Sequence, residues 1–372
     1  MATLHDLETP ALLLDRSVLD RNLSRMQARM DRLAVRLRPH VKTTKSIDVL
    51  RRVSGGTQGS ITVSTLKEAE YFLEYGVTNI LYAVGIAPGK LAHAAGLMRR
   101  GAELTLILDS IEAAHAVRQA AVTFPVLIEL DVDGHRSGVS PESPLLLEIA
   151  AALGSSLRGV MTHAGESYNC ASTAAIVDMA EQERAGAVRA AERLRAAGFN
   201  SPVVSVGSTP TATFAADLSG VTEVRAGVYM FHDLVMAGIG VCEIDDIALS
   251  VLVSVIGHQA DRGWIITDGG WMALSRDRGT AKQRIDQGFG LVRDLDCRAL
   301  SEDLIVMSAN QEHGVIARRD GHSPDFSRYP VGSLLRILPN HACATAAQHT
   351  RYQVIEETDP TVVACWQRTN GW

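Results

Sequence analysis

A short run near residue 40 alternates basic and other residues, and these basic residues form the first candidate for chemistry. Extended backbone places alternate side chains on one face, so the row shares a face. The row consists of Arg36, Arg38, His40 and Lys42. Inside a barrel such a row would need an anion, and its mutual repulsion would favour a neutral lysine able to attack an aldehyde. A half-exposed strand with a solvated basic face fits the same pattern, and Pro39 weakens a central strand.

Two further candidates follow later apolar runs. Arg136 comes shortly after the run that ends at Asp131, and His163 ends the next one. In α/β barrels the chemistry lies at the carboxyl ends of the strands, where both residues would then stand. The alternatives are an ordinary ion pair of Arg136 with Asp131 or Asp133, and a hydrogen-bonded core histidine at 163.

Small and hydroxylated residues follow the last two such runs. Backbone N–H groups can approach a phosphate closely at small residues, and hydroxyls add donors. Barrel enzymes often bind phosphate after the seventh and eighth strands. The two segments are Gly207-Ser208-Thr209-Pro210-Thr211 and Gly227-Val228-Tyr229. Each is also ordinary turn chemistry, so the prediction depends on both occurring together.

An imidazole and a thiol stand two residues apart near the C-terminus, at His341 and Cys343. On extended backbone both face one side, which suits a soft divalent metal such as zinc. Two ligands do not close a structural site, so water or substrate would have to complete the coordination sphere. The alternative is an incidental pair.

Composition excludes several classes of protein. The chain has 372 residues, 46 % hydrophobic and 21 % charged residues, and a formal charge of −6. This predicts a globular protein with a sizeable core and no general attraction for nucleic acid or anionic membranes. No apolar run reaches the roughly 18 residues that cross a bilayer, and no signal peptide is visible. Five dispersed cysteines indicate a reducing compartment, and hence a cytoplasmic protein.

Alternation of β-branched runs and helical patterns predicts the elements that position these residues. Eight predicted strands alternating with helices favour a (β/α)8 barrel over an open doubly wound sheet. The predicted strands are 35–42, 60–64, 79–84, 104–108, 125–131, 158–163, 202–206 and 221–228. The predicted helices are 66–75, 90–100, 111–120, 144–153 and 174–197.

After about residue 245 the pattern changes to short strand-like runs separated by turn residues. These predict a mostly antiparallel β domain without a long helix. The predicted strands are 247–256, 263–267, 303–307, 333–338, 352–356 and 361–366. The predicted domains are therefore a barrel at 1–245 and a β domain at 246–372.

These segments, in this order, resemble the D-serine dehydratase-like family of fold-type III pyridoxal-phosphate enzymes, which includes the D-threonine aldolases. The resemblance covers nearly the whole chain. The matching segments are Glu8–Ala11, Arg38–Thr43, Ile61–Glu70, His135–Gly138, Gly207–Thr211, Val255–Asp261, Glu312–Gly314 and His341–Cys343.

The resemblance implies an alanine racemase N-terminal-like barrel holding pyridoxal 5′-phosphate, a C-terminal β domain and a homodimer. It implies that Lys42 binds the cofactor's aldehyde, with Lys45 as a rival that falls off the inward face. It places Arg136 near the phenolate oxygen, His163 behind the pyridine ring and Tyr168 near the ring nitrogen. It assigns the phosphate to Gly207, Ser208, Thr209, Gly227, Val228 and Tyr229.

The resemblance also implies a divalent metal (zinc, manganese, cobalt or nickel) on His341 and Cys343. The expected reaction is elimination of water from a D-3-hydroxy amino acid. D-threo-3-hydroxyaspartate would give oxaloacetate and ammonia, and D-serine would give pyruvate.

Three alternatives stay open, namely a D-threonine or 3-hydroxyaspartate aldolase, an amino-acid racemase and a non-catalytic cofactor-binding protein. In the aldolases the second metal ligand is typically aspartate, and the region corresponding to 165–168 carries an additional histidine. A second substrate carboxylate could meet Arg276 or Arg278, although a solvated pair of loop arginines explains them as well.

Overall fold

The structure is a computed structural model that describes residues 2–356 and 359–372. It separates into two compact units. The barrel unit comprises Ser24–Gly227 and Gly371–Trp372, and the β unit comprises Met1–Leu23 and Val228–Asn370.

The strands supply both units with their sheets. They are β1 (Ala11–Asp15), β2 (Arg36–Pro39), β3 (Ile61–Val63), β4 (Asn79–Gly85), β5 (Glu103–Leu108), β6 (Val126–Leu130), β7 (Leu157–Thr162), β8 (Val203–Val206), β9 (Glu223–Ala226), β10 (Leu249–Gln259), β11 (Trp264–Thr267), β12 (Leu291–Arg293), β13 (Leu304–Ala309), β14 (Gly314–Arg318), β15 (Leu334–Leu338), β16 (Arg351–Glu356) and β17 (Asp359–Gln367).

The longer helices all lie before residue 200. The helices are α1 (Arg16–Arg32), α2 (Ile47–Leu50), α3 (Leu66–Glu74), α4 (Leu91–Arg99), α5 (Ile111–Arg118), α6 (Leu145–Leu153), α7 (Thr173–Ala196), α8 (Thr209–Phe214), α9 (Leu234–Gly238), α10 (Trp271–Leu274) and α11 (Ala342–Ala346). None of the helices in the described part of the chain has both the length and the apolar character to span a bilayer.

The sheet of the barrel unit is parallel throughout, in the order β2-β9-β8-β7-β6-β5-β4-β3. Its two ends meet at a parallel bridge between His40 and Thr62, where the Val41 N–H donates to the Thr62 carbonyl at 2.9 Å. The predicted eight-stranded barrel is thereby confirmed, and the open sheet is excluded.

Apolar side chains of successive strands hold the barrel together. Leu81, Ile107, Leu127 and Met161 come from β4, β5, β6 and β7 and pack as one buried cluster. Burying a side chain of this size contributes roughly 1.5–3 kcal/mol. Buried charged residues on β2, β6 and β9 are the exceptions to this apolar packing; they are Arg38, Glu129, Glu223 and Arg225.

Hydroxyl caps begin several helices just after the carboxyl ends of barrel strands. Thr65 accepts from the Glu68 N–H at 3.0 Å, ahead of α3. Ser110, Ser172 and Ser208 accept in the same way ahead of α5, α7 and α8. Such a cap contributes about 1 kcal/mol and fixes where the loop ends. The loops at this end of the barrel are therefore anchored on both sides.

The β unit contains a closed, antiparallel set of six strands. They follow the order β11-β14-β13-β12-β15-β10, and residues 255–259 of β10 pair with β11 to close the ring. Residues 249–252 of β10 pair with β1. Strand β1 pairs in turn with β16, and β16 pairs with β17. The predicted antiparallel β domain is confirmed.

The units divide the chain differently from the expected boundary at 245/246. Strand β1 pairs antiparallel with β10 and parallel with β16, so the N-terminal residues group with the β unit. Residues 228–245 group with it as well, because the Leu234 and Val235 N–H groups donate to Pro339 and Asn340. Both pairings join distant parts of the chain.

Candidate functional site

The carboxyl ends of β2, β7, β8 and β9 gather the candidate residues of the barrel unit. Lys42 follows β2, His163 follows β7, Gly207 follows β8 and Gly227 follows β9. The four strands are consecutive in the sheet, in the order β2-β9-β8-β7. Parallel strands bring their carboxyl ends to one rim, where barrel chemistry occurs.

Lys42 lies in the turn after β2 and is half-buried. Its charge contributes to lowering the pKa values of both His40 and His163, which places its amine within electrostatic reach of the two imidazoles. Lys45 instead forms an ion pair with Glu68 at 3.1 Å. The structure therefore separates the two lysines, one beside the imidazoles and the other held by a carboxylate.

The basic row is not a single cationic face. Arg38 is buried and its Nε donates to Glu223 Oε2 at 2.9 Å, while Arg36 is exposed and contacts the same oxygen at 2.5 Å. Burial alone would raise the pKa of Glu223, but Arg38 and Arg36 hold it below its usual value. The anion that the inward-facing basic row was expected to need is thus supplied at Arg38 by the protein's own Glu223, whereas Arg36 is exposed and does not lie inside the barrel.

His163 is a neutral imidazole with a fixed tautomer. Burial, with the charge of Lys42 next, lowers the pKa of His163 to about 3. Its Nδ1 donates to the Gly207 carbonyl at 2.9 Å, and its ring centroid lies 6.1 Å from that of Tyr168. A neutral ring held at its edge leaves a face that can pack against a planar ligand.

Arg136 is exposed in the loop after β6. The alternative ion pairs are not formed, since Asp131 and Asp133 accept backbone N–H groups and no ion pair of Arg136 occurs within residues 2–356 and 359–372. Its charge nevertheless acts on the pKa values of Glu129 and His163. Arg136 thus stands near the same rim with its guanidinium available to a ligand.

The glycines at the ends of β8 and β9 are required by close backbone approach. A Cβ on Gly207, whose φ is +133°, would lie 2.2 Å from the Arg225 carbonyl oxygen. A Cβ on Gly227 would lie 2.7 Å from the His40 carbonyl oxygen. Each contact would be a clash with backbone, so both positions are closed to larger residues.

The hydroxyls beside Gly207 are buried. Ser208 Oγ lies 2.8 Å from Ser167 Oγ and accepts from the Thr211 N–H at 3.2 Å, so it caps α8. Thr209 is buried directly after it. Val228 and Tyr229 follow Gly227 in the chain, are buried, and belong to the β unit.

Sequence reasoning missed two buried charged residues of the barrel unit. Arg225 on β9 donates from Nε to Ser205 Oγ at 2.9 Å and from Nη2 to the Thr162 carbonyl. Glu183 on α7 is 1 % exposed. The available signals were the alternation of Glu223 and Arg225 in an apolar strand, and the placement of Glu183 in the apolar stripe of α7.

In the β unit the His341–Cys343 pair follows β15. His341 is half-buried, and its Nδ1 lies 2.8 Å from Asp277 Oδ2. The adjacent Ala342 N–H donates to Asp233 Oδ2 at 2.9 Å. Carboxylates thus hold both the ring and the backbone of the pair.

The charges around His341 are opposite to those around His163. Burial alone would lower the pKa of His341, but its hydrogen bonds with Asp277 and Cys343 override this and raise it to about 11. No group of three or more histidine, cysteine, aspartate or glutamate side chains is arranged to hold a metal within the described residues. A metal would therefore take two protein ligands here, with other positions left to water or substrate.

Comparison with known proteins extends over the whole chain. The family model "Alanine racemase, N-terminal domain" matches residues 14–234, and "Putative serine dehydratase domain" matches residues 248–355. D-threo-3-hydroxyaspartate dehydratase from Delftia sp. (strain HT23) is 54 % identical, covering 100 % of this chain and 99 % of its own. The chain belongs to the D-serine dehydratase-like family.

More distant members of the D-serine dehydratase-like family are also similar along the chain. D-serine dehydratase from Dictyostelium discoideum is 29 % identical over 99 % of this chain and 98 % of its own. D-threonine aldolase from Arthrobacter sp. is 29 % identical over 97 % and 92 %. The resemblance drawn from the sequence is thereby confirmed.

The solved structure of the Delftia sp. HT23 dehydratase superposes with a TM-score of 0.97 over 100 % of both chains. Related structures of that enzyme include a cysteine-to-alanine variant in the metal-free form and a histidine-to-alanine variant, at positions two residues apart. His341 and Cys343 have the same types and spacing. The donor chemistry of this pair, one imidazole and one thiol, fits a divalent metal.

The D-serine dehydratase-like family is one of fold-type III pyridoxal-phosphate enzymes. The rim of the barrel unit fits that cofactor on three observations. It has a half-buried amine at Lys42, a neutral ring at His163, and two strand ends where a Cβ would strike backbone, at Gly207 and Gly227.

Proposed function

We propose that this protein is a pyridoxal-phosphate- and metal-dependent dehydratase that converts D-threo-3-hydroxyaspartate to oxaloacetate and ammonia. D-serine, giving pyruvate, is proposed as a second substrate. The observation that carries the proposal is the His341–Cys343 pair, held by Asp277, in a chain 54 % identical to such a dehydratase along its whole length.

We assign the cofactor to the rim of the barrel unit. Lys42 would hold it through its aldehyde, His163 would pack behind its ring, and Arg136 would meet its phenolate oxygen. Tyr168 is assigned to the ring nitrogen; its contact with His163 supports this assignment. The phosphate is assigned to Gly207, Ser208, Thr209, Gly227, Val228 and Tyr229.

The assignment to the phosphate is supported by how these segments are built. Gly207 and Gly227 bring backbone to the rim without a side chain in the way. The Ser208 hydroxyl contacts Ser167 and Thr211, so we propose that Ser208 serves the phosphate site by holding the shape of this loop.

When bound, the cofactor supplies an electron sink for the charge left at Cα. The chain itself supplies the base: we propose that Lys42 Nζ removes the proton from the substrate's Cα. The imidazoles of His40 and His163 near this lysine are neutral, because burial lowers the pKa values of both.

A divalent metal, when bound, supplies a Lewis acid for the departing hydroxyl oxygen. We propose that His341 and Cys343 hold it, and that zinc, manganese, cobalt or nickel can serve. Asp277 fixes Nδ1 of His341, which leaves Nε2 as the ligand atom. The hydrogen bond to Asp277 would thus orient the His341 ring before the metal arrives.

We propose that residues 1–245 act in cofactor binding and residues 246–372 carry the metal ligands, and that the protein works as a homodimer.

A cytoplasmic location is proposed because the five cysteines form no disulfide in the described chain. We further propose that the protein acts on a small amino acid rather than on nucleic acid or membranes.

A product assay tests the proposed reaction. Purified holoenzyme supplied with a divalent metal is given both D-3-hydroxyaspartate diastereomers, D-serine and D-threonine, and ammonia, 2-oxo acid and glycine are measured. We expect equal amounts of ammonia and oxaloacetate from the D-threo compound. Glycine as the main product would show an aldolase instead, and an unchanged substrate that exchanges its Cα proton would show a racemase. No turnover on any of the four would support a non-catalytic cofactor carrier.

A further inference from the structure

One buried carboxylate, Glu183, joins the ends of two barrel strands. It lies within helix α7 (Thr173–Ala196) and is 1 % exposed. Its Oε1 accepts from the Ala164 N–H at 3.0 Å and from the Gly207 N–H at 2.9 Å. Its Oε2 accepts from Thr211 Oγ1 at 2.7 Å. Three donors therefore converge on a single side chain, two from the residues that follow β7 and β8 and one from helix α8.

Two of these contacts are made to the neighbours of His163. Ala164 is the residue directly after it, and the Gly207 carbonyl accepts from His163 Nδ1 at 2.9 Å. Glu183 therefore fixes the backbone next to His163 on one side and the peptide group that sets its tautomer on the other. Gly207 also has a φ of +133°, a conformation that its N–H contact with Glu183 helps to hold.

A carboxylate in this position is unusual for a helix that packs on a barrel. The other buried residues of α7 are apolar, and burial raises the pKa of Glu183. The three hydrogen bonds and the charge of Arg225 oppose that effect. A buried carboxylate whose two oxygens both accept hydrogen bonds rigidifies the groups that it joins.

We propose that Glu183 is a positioning residue for the cofactor: it clamps the loops after β7 and β8 so that His163 and Gly207 are held ready for the ring and phosphate. The inference rests on the proposed function of these loops. Glu183 itself does not touch the cofactor. Its effect passes through Ala164, Gly207 and Thr211.

The chemistry of the three bonds distinguishes between substitutions. In Glu183→Gln the amide oxygen can accept from both backbone N–H groups, and its NH2 can donate to Thr211 Oγ1, so the clamp is retained. Glu183→Ala leaves two buried N–H groups without an acceptor. Glu183→Asp keeps the charge but is one methylene shorter and cannot reach both loops. Glu181→Ala, at an exposed residue of the same helix that pairs with Arg184, is the matched control.

The experiment prepares each variant with pyridoxal 5′-phosphate and measures its dissociation constant by equilibrium dialysis and its visible absorption spectrum. Circular dichroism reports whether each variant is folded. We expect Glu183→Ala and Glu183→Asp to bind the cofactor about 10- to 100-fold more weakly, with a shifted absorption maximum. Glu183→Gln and Glu181→Ala should remain within about 3-fold of the parent in affinity. The Glu183→Asp variant carries the test if Glu183→Ala does not fold.

Two outcomes separate the inference from the proposed function. If the parent protein takes up no pyridoxal phosphate, the proposed function fails. If the parent binds it and a folded Glu183→Ala or Glu183→Asp variant has the same dissociation constant and spectrum, the positioning role alone is wrong. Equal weakening of Glu183→Gln and Glu183→Ala would also overturn the role, because the clamp needs acceptors rather than charge.

Discussion

Two histidines in the two units show how surroundings set the chemistry of one residue type. His163, at the rim of the barrel unit, is buried near the charges of Lys42 and Arg225, and burial, with these charges next, lowers its pKa to about 3. His341, in the β unit, contacts Asp277 and Cys343, and its pKa is raised to about 11. The first environment suits a neutral ring behind an anionic cofactor, and the second suits a bound cation.

The largest expected effect is at the amine of the barrel rim. We expect Lys42→Ala to reduce turnover on the order of 10⁴-fold or more and to remove the cofactor's visible band, because no other amine takes its place. Activity and the absorption spectrum before and after borohydride reduction check this. Lys45→Ala, which removes the ion pair with Glu68, is the control and should keep the band. A band that survives in Lys42→Ala and disappears in Lys45→Ala would exchange the two roles.

The second effect concerns the β unit alone. Asp277→Asn removes the carboxylate that holds His341 Nδ1, so we expect divalent metal to bind about 10- to 100-fold more weakly. Isothermal titration with zinc or manganese measures this affinity. The cofactor band should stay as in the parent, since His163 and Lys42 are untouched. A metal affinity equal to that of the parent would remove Asp277 from the account.

The third effect is on acid stability of the barrel unit. The pKa of His163 is about 3 in the folded protein and about 6.5 when unfolded, so the unfolded chain binds more protons between these values. The contribution of the neutral His163 to the free energy of unfolding is fully present above about pH 6.5 and is lost progressively as the pH falls toward 3. At pH 5 the loss from His163 should be roughly 2 kcal/mol.

Urea unfolding of the apoprotein at pH 7 and pH 5, followed by helical circular dichroism, measures this loss. His163→Asn cannot titrate and keeps a donor for the Gly207 carbonyl, so it should lose correspondingly less stability between the two pH values. The same pH dependence in both proteins would mean that the imidazole is not buried as a neutral group.

The smallest expected effect distinguishes two neighbouring arginines in the β unit. Arg278 is paired with Asp286 at 2.7 Å, whereas Arg276 lies over the Trp271 ring, 5.0 Å from its centroid, and makes no ion pair in the described chain. We therefore predict that Arg276 serves the second carboxylate of hydroxyaspartate. Arg276→Gln should lower kcat/KM for that substrate about 10-fold and leave D-serine unchanged. Equal losses for both substrates, or a larger loss in Arg278→Gln, would contradict this.

Much of the fold could be predicted from the sequence. Each of the eight barrel strands lies within or beside its predicted range, because β-branched runs and helical spacing are local signals. Strand β1 and the grouping of residues 228–245 with the β unit were missed. Their partners, β10, β16 and the segment after β15, are more than a hundred residues away, and no local pattern encodes such pairings.

The candidate site was predictable only in part. The positions of Lys42, His163 and the two glycine segments after neighbouring strands could be predicted from strand ends and small residues. The groups that hold them were not found, because Glu223, Glu183 and Asp277 read as ordinary charged residues until the fold brings their partners close. The basic row was misjudged for the same reason, since Glu223 lies far along the chain from Arg38.

Removing the metal tests most directly whether the metal is needed for ammonia release but not for binding of the cofactor. Holoenzyme is treated with a chelator until metal analysis detects no bound metal. The visible spectrum and the ammonia release from D-threo-3-hydroxyaspartate are recorded before and after this treatment. We predict that ammonia release stops while the cofactor band remains, and that adding zinc or manganese restores release. Undiminished release from verified metal-free protein would contradict the account.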